Sequence, residues 1–318
     1  MNILEIRNLN LAFTLQDRDF QALYDVNLEL EKGKTLAIVG ESGCGKTMSA
    51  MSVIRLLPNS AKILSGEILY NGENLLKLSE KEMRKIRGKQ IAYIPQDPMT
   101  SLNPLYTIGN QLEEILEIHR GLKGKEAKQA SIEVLEQVKI PNAKERLTNY
   151  PHEFSGGMRQ RVIIAMAIAT NAPVIIADEP TTALDVTVQA QIMDLLSEIQ
   201  REFSTSIILI SHNLALVSQN ADDIAVMYAG HVVEKSGAKE LFENPKHPYT
   251  KALLKSLPTL SATKLETIEG QPPSIREMIS LCPFMPRCCE KLEICGEKTP
   301  QPTVVNGANV NCWRYSNN

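Results

Sequence analysis

The stretch Gly40-Glu41-Ser42-Gly43-Cys44-Gly45-Lys46-Thr47 constrains this chain more than any other, because it fills every fixed position of the phosphate-loop pattern G-x-x-x-x-G-K-[ST]. The apolar run from Thr35 to Val39 before it predicts a buried strand, and Met48 to Leu57 after it predicts a helix. Strand, loop and helix in that order are what the pattern needs. Its glycines let successive backbone N–H groups point inward at a phosphate chain, and the helix offers its positive end to the same anion. Lys46 is expected to reach the β and γ phosphates, and Thr47 to ligate Mg²⁺. The plainer reading is a Gly-rich turn before a buried helix with Lys46 solvated; the flanking elements favour the nucleotide.

Length and composition narrow the rest. A chain of 318 residues suggests about two domains. Its net charge of −3 gives no overall basic footprint for nucleic acid. The opening Met1-Asn2-Ile3-Leu4-Glu5-Ile6-Arg7 reads as no signal peptide, and the apolar stretch Val162 to Ala177 is broken by Thr170, Asn171 and Pro173. The expectation is a protein soluble by itself, whose membrane role would come through a partner.

Alternation in the first thirty residues predicts short strands, around Ile3 to Arg7 and Leu23 to Leu30. Ser65 to Gly72 predicts a hairpin piece with an Asn-Gly turn. Ser79 to Ile86 and Ile108 to Val138 carry helical spacing, and Ala190 to Ile199 reads as a helix between the buried strands Val174 to Ala177 and Ser206 to Ile210. Repeated strand–helix alternation argues for an α/β fold with a parallel sheet. A helix-rich insertion at about 100–158 interrupts it, and a composition shift near residue 240 marks a boundary.

Two further sites bear chemistry. Val174 to Ala177 runs into Asp178-Glu179, and paired acids at the end of a buried strand need a reason. Mg²⁺ supplies one: Asp178 can hold the metal opposite Thr47, leaving Glu179 to orient and polarise an attacking water. Phe154-Ser155-Gly156-Gly157-Met158-Arg159-Gln160-Arg161 precedes a long apolar helix, with Ser155 a plausible N-cap and two glycines exposing N–H groups. It reads as a second anion site.

With these residues in place, the chain resembles the nucleotide-binding subunit of ATP-binding cassette (ABC) transporters. Residues 154–161 resemble that family's signature loop, Gln96 in Ile94-Pro95-Gln96-Asp97 its Q-loop, Thr182-Ala183-Leu184-Asp185 its D-loop, and His212 its switch histidine. Phe13 stands where the family has an aromatic that stacks on adenine, with Phe20 as rival. The resemblance implies a phosphate-loop, RecA-like parallel-sheet core, an antiparallel β subdomain, the inserted helical subdomain, and a small C-terminal cysteine-containing domain. The ATPase domain would cover 1–240 and the C-terminal domain 241–318. It also implies a head-to-tail pair of subunits, in which Ser155, Gly156 and Gly157 serve the nucleotide bound by the partner. Glu179, His212, Gln96 and Lys46 would be catalytic, Thr47, Gln96 and Asp178 would hold Mg²⁺, and Gly40 through Thr47, with Phe13 and Asp185, would complete the ATP site.

Three features resemble the D-type ATPase subunit of peptide and nickel importers: Gln96 to Pro104, Tyr150-Pro151-His152-Glu153-Phe154, and the element His247-Pro248-Tyr249-Thr250-Lys251-Ala252-Leu253-Leu254. That family implies two membrane permeases, a second ATPase subunit that usually differs, an extracytoplasmic substrate-binding protein, and a peripheral place on the cytoplasmic face of the inner membrane. Nickel or other small-solute import, or a non-transport ABC ATPase, is the alternative reading. Of six cysteines, five follow residue 281. Cys282, Cys288, Cys295 and Cys312 are separated by five, six and sixteen residues, a spacing that suits zinc hooks poorly. Four thiolates suit a [4Fe–4S] cluster, and Cys282 to Cys288 resembles the cluster-binding tail of peptide-importer ATPases. Cys289 could replace Cys288 as ligand; four buried or merely solvated thiols remain the plain alternative, and zinc a further one.

Overall fold

The computed structural model describes residues 1–182, 184–257, 268–276 and 281–316. The chain divides into two compact units: Met1–Glu31, Thr35–Lys77 and Ile210–Asn318 form the first, Lys32–Lys34 and Leu78–Leu209 the second.

In the first unit, the alternating N-terminal residues form two long strands, Asn2–Leu15 and Arg18–Glu31, paired antiparallel with Leu4 opposite Leu30. Ala61–Tyr70 pairs along the other edge of Asn2–Leu15, with Leu4 opposite Tyr70. The sequence predicts an Asn-Gly turn here, and Asn71 (φ 48°) and Gly72 (φ 84°) both adopt the left-handed conformation such a turn requires before the short strand Glu73–Asn74. Leu9, Leu11, Leu23 and Val26 are fully buried in this antiparallel layer.

The second layer of this unit carries the phosphate loop. Thr35–Val39 is buried along its whole length and runs parallel to Asp223–Tyr228, Leu36 opposite Asp223. Continuous burial explains why this strand reads as an unbroken apolar run. Asp223–Tyr228 pairs antiparallel with His231–Gly237, which in turn pairs with Ala308–Val310 of the tail hairpin Thr303–Val305/Ala308–Val310. The cysteine-bearing tail therefore adds strands to the layer that holds the phosphate loop.

The second unit contains the parallel pair Ile91–Ile94 and Val174–Asp178, Ile91 opposite Val174. The helical insertion lies here. The sequence predicts continuous helical spacing over 108–138; the structure breaks it into Ile108–Arg120 and Lys125–Gln137. Gly121 (φ 71°) caps the first helix in the left-handed region, and Gly124 (φ 55°) opens the second. Thr107 caps the start of Ile108–Arg120, and Ser79 with Glu82 forms a capping box on Glu80–Ile86. Leu112 and Leu116 face the interior with Val134, Leu135 and Ile164. The mixed α/β architecture with a parallel-strand core agrees with the sequence reading. No helix among the described residues is long and apolar enough to cross a membrane.

Candidate functional site

The residues singled out by sequence fall into groups that each unit builds separately. In the first unit the phosphate loop leaves the buried strand at Gly40, and Gly40, Gly43 and Gly45 all have φ in the left-handed half of conformational space. Two of them are also steric necessities. A Cβ on Gly40 would run into the Met227 carbonyl, and one on Gly45 would stand 2.6 Å from Leu23 Cδ2. The helix that follows, Lys46–Ile54, has no capping side chain and no acid in its first turn, so its N-terminal partial positive charge is left for an anion.

Lys46 is only 5% exposed, and its ammonium donates to the Gly40 and Glu41 carbonyls at 2.8 and 3.1 Å. Buried charge is costly without such partners. Cys44 is buried with its thiol pushed above its usual range by desolvation, and its N–H donates to the Glu41 carbonyl. Ser42 and Thr47 complete the loop. His212 follows the strand Ser206–Ser211 and is exposed. Phe13 and Phe20 are cross-strand partners, both half-buried.

The His-Pro-Tyr element lies in this same unit and has a physical role that the sequence reading left unassigned. His247 caps the helix Pro248–Lys255 by accepting from the Tyr249 N–H through Nδ1 at 3.0 Å. Burial drives its pKa down to about 3, with Lys251 adding to the effect, so it is held neutral and able to accept. Glu234 receives the Lys246 and His247 N–H groups at 2.8 Å each. Fixed in this way, the fully buried Tyr249 presents its hydroxyl to the Glu41 N–H at 3.1 Å. The element thereby buttresses the phosphate loop.

In the second unit the structure brings Asp178, Glu179 and Gln96 together. Asp178 is 1% exposed and accepts from the Tyr93 hydroxyl at 2.9 Å. Burial, then the Asp178 charge, raises the Tyr93 pKa, keeping it a donor. Sequence reasoning missed Tyr93; its only signal is its place on the strand paired in register with Val174–Asp178. Glu179 has φ 45°, a rare conformation for a residue other than glycine. Its carboxylate accepts from Gln96 Nε2 at 3.1 Å and from the Thr182 hydroxyl at 2.9 Å.

Ser155 is an N-cap as expected, accepting from the Met158 N–H ahead of the helix Gly156–Ala169. A Cβ on Gly157 would stand 2.7 Å from Val188 Cγ1, so glycine is required there for packing as well as for exposed backbone. Asp185 caps Val186–Phe203 by accepting from the Val188 N–H at 2.9 Å. Hard oxygen donors such as Asp178 and Thr47 suit Mg²⁺.

The tail cysteines gather in the first unit. The Cys282 N–H donates to the Cys295 carbonyl at 3.3 Å. Burial pushes the Cys282 thiol up to about 11 and raises Cys288 and Cys312, and Cys282 and Cys288 each lie within electrostatic reach of Cys295 and Cys312. Cys289 is exposed. Among the described residues, no three His, Cys, Asp or Glu side chains stand at metal-holding positions. Thiols have the right chemistry for iron.

Comparison with known proteins matches residues 23–182 to the family described as ABC transporter, and residues 233–295 to the C-terminal region of oligopeptide/dipeptide transporters. A dipeptide transport ATP-binding protein, DppD, of Bacillus subtilis is 48% identical over 98% of this chain and 94% of its own length. An oligopeptide transport ATP-binding protein, OppD, of Salmonella typhimurium is 46% identical over 98% and 93%. Among solved structures, cbiO1 of Clostridium perfringens, part of the cbiONQ transporter complex, superposes with a TM-score of 0.66 at 28% identity, covering 76% of this chain and 91% of its own. A dimeric ATP-binding cassette described in a post-hydrolysis state with ADP and Pi gives 0.66 at 27% identity, covering 74% and 98%.

Proposed function

Because the chain belongs to the ABC transporter family, as an ATPase, we propose that it powers import of di- and oligopeptides. The observation that carries this reading is similarity over 98% of the chain to dipeptide and oligopeptide transport ATP-binding proteins, C-terminal region included.

The chemistry follows from the residues in place. Lys46 and the loop N–H groups bind the triphosphate, Phe13 stacks on adenine, and His212 meets the γ-phosphate. Thr47, Asp178 and Gln96 would hold Mg²⁺, which would supply neutralisation of charge on the phosphates. Glu179, oriented by Gln96 and Thr182, accepts a proton from the attacking water. Such catalysis is positioning plus preorganised charge. Ser155, Gly156 and Gly157 complete the site of a second cassette, so that ATP joins the pair and hydrolysis releases it. The second cassette is a second ATPase subunit, which in this family usually differs from the first, and the dimer drives two permeases fed by an extracytoplasmic binding protein. The subunit works on the cytoplasmic face of the membrane, with 1–240 as motor and 241–318 as the C-terminal module.

The four thiols Cys282, Cys288, Cys295 and Cys312 would hold a [4Fe–4S] cluster in this reading, with a structural or regulatory role, since ATP hydrolysis needs no electrons. The electrostatic reach of Cys295 and Cys312 to both Cys282 and Cys288 supports it, and the exposure of Cys289 favours Cys288 as ligand.

Uptake of labelled peptides of graded length, in a strain lacking this gene, tests the function. Loss of uptake restored by the intact gene is expected. Undiminished uptake at every length, with nickel or another solute affected instead, overturns the peptide assignment.

A further inference from the structure

Arg287 of the cysteine-bearing tail reaches across 246 residues of sequence into the phosphate loop of its own unit. Its Nη1 donates to Glu41 Oε2 at 2.7 Å and its Nη2 to Glu41 Oε1 at 3.0 Å, a two-pronged pairing. The remaining donors are also engaged: Nε with the Glu269 carbonyl at 3.0 Å, Nη2 with the Ile268 carbonyl at 3.3 Å, and Nη1 with the Tyr228 hydroxyl at 3.3 Å. The guanidinium lies 5.8 Å from the Tyr228 ring centre, and its side chain is 5% exposed. Phe284, three residues earlier, packs edge-on to Tyr228 and tilts against Tyr249, whose hydroxyl accepts from the Glu41 N–H.

We propose that Arg287 is a positioning residue for ATP, neutralising the Glu41 carboxylate inside the phosphate loop. The inference rests on the reading of Gly40 to Thr47 as the ATP phosphate loop. That loop must accept a polyanion, and an uncompensated carboxylate within it opposes binding by Coulomb repulsion in a partly desolvated setting. Paired with Arg287, Glu41 presents no net charge. The tail thus delivers to the Glu41 carboxylate a cationic partner, while Lys46, the loop's own cation, is bonded to the Gly40 and Glu41 carbonyls.

The test is titration of the full-length chain with fluorescent ATP, with ATPase kinetics on the assembled complex. Arg287→Met is expected to weaken ATP binding about tenfold and raise KM by the same factor with kcat nearly kept, and added salt should shrink the defect. The double variant Arg287→Met/Glu41→Gln is expected to regain most of the affinity, because the repelling charge is gone. A purely structural strut predicts the opposite, a double variant as weak as Arg287→Met or weaker, and that result overturns the proposal. Equal affinity of Arg287→Met and wild type does so too. Failure of the wild type to bind ATP would sink the nucleotide reading itself. Should Arg287→Met not fold, a folded double variant with near wild-type affinity supports the proposal, and one tenfold weaker overturns it.

Discussion

The side-chain amide of Gln96 donates to the carboxylate of Glu179 at 3.1 Å, joining residues 83 apart in the chain. Thr182 donates to the same carboxylate oxygen, and the Glu179 backbone sits at φ 45°. Holding an acid this way fixes its direction at the cost of a strained backbone, as expected of a group that must aim at a water.

Replacing Glu179 with Gln keeps an acceptor for Gln96 and Thr182 and removes only the charge. Nucleotide binding is therefore expected to persist while hydrolysis falls by roughly a thousandfold, the scale of a lost general base. The variant should accumulate as a closed dimer in Mg-ATP, visible by sedimentation. A monomer with undiminished phosphate release would refute the role of Glu179.

Tyr93 supports the neighbouring acid. Tyr93→Phe keeps the ring and deletes the hydroxyl that donates to Asp178 at 2.9 Å, leaving a buried carboxylate less satisfied. The expected cost is about 1–3 kcal/mol of stability. Partners that orient a metal ligand also matter to the metal, so the Mg²⁺ concentration for half-maximal ATPase activity should rise about tenfold. An unshifted Mg²⁺ titration would separate Asp178 from metal binding.

Local signals made much of this legible beforehand. The strands Thr35–Val39 and Val174–Asp178, the Asn71-Gly72 turn and the Ser155 cap each depend on a few adjacent residues, and each was readable from them. The break between Arg120 and Lys125 was missed because the apolar spacing resumes after it, although Gly121 and Gly124 mark it. The contacts that tune the site were invisible for another reason. Tyr93 with Asp178, Tyr249 with Glu41 and Arg287 with Glu41 join residues 85, 208 and 246 apart, and no local pattern encodes such meetings. His-Pro-Tyr reads as a motif in sequence; that its tyrosine braces the phosphate loop is a property of the fold.

Acid should unfold the first unit through its buried histidines. His247 titrates near 3 and His231 near 4, both lowered chiefly by burial, against an ordinary value of about 6.5. A lowered folded-state pKa means the unfolded chain binds the proton first. Their contribution is fully present above about pH 6.5 and is lost as pH falls toward 3 to 4. Each can remove up to about 1.4 kcal/mol per pH unit in that window. Denaturant melts at pH 7, 6 and 5 should show falling stability, and His247→Gln should flatten the slope. A slope unchanged in that variant would place the acid sensitivity elsewhere.

The cysteines supply a sharper discrimination, because two adjacent ones differ in surroundings. Cys288 is half-buried and shares the electrostatic neighbourhood of Cys295 and Cys312, whereas Cys289 is exposed to solvent. Anaerobic purification is expected to give a brown protein with roughly four irons per chain. Cys288→Ser should lose the iron and Cys289→Ser should keep it. Desolvated thiols resist ionising, so iron must displace protons from thiols such as Cys282, whose pKa stands near 11, and reconstitution should quicken as pH rises from 7 to 8.5. Colourless protein carrying zinc, or equal iron loss in both variants, would overturn the assignment of these four residues.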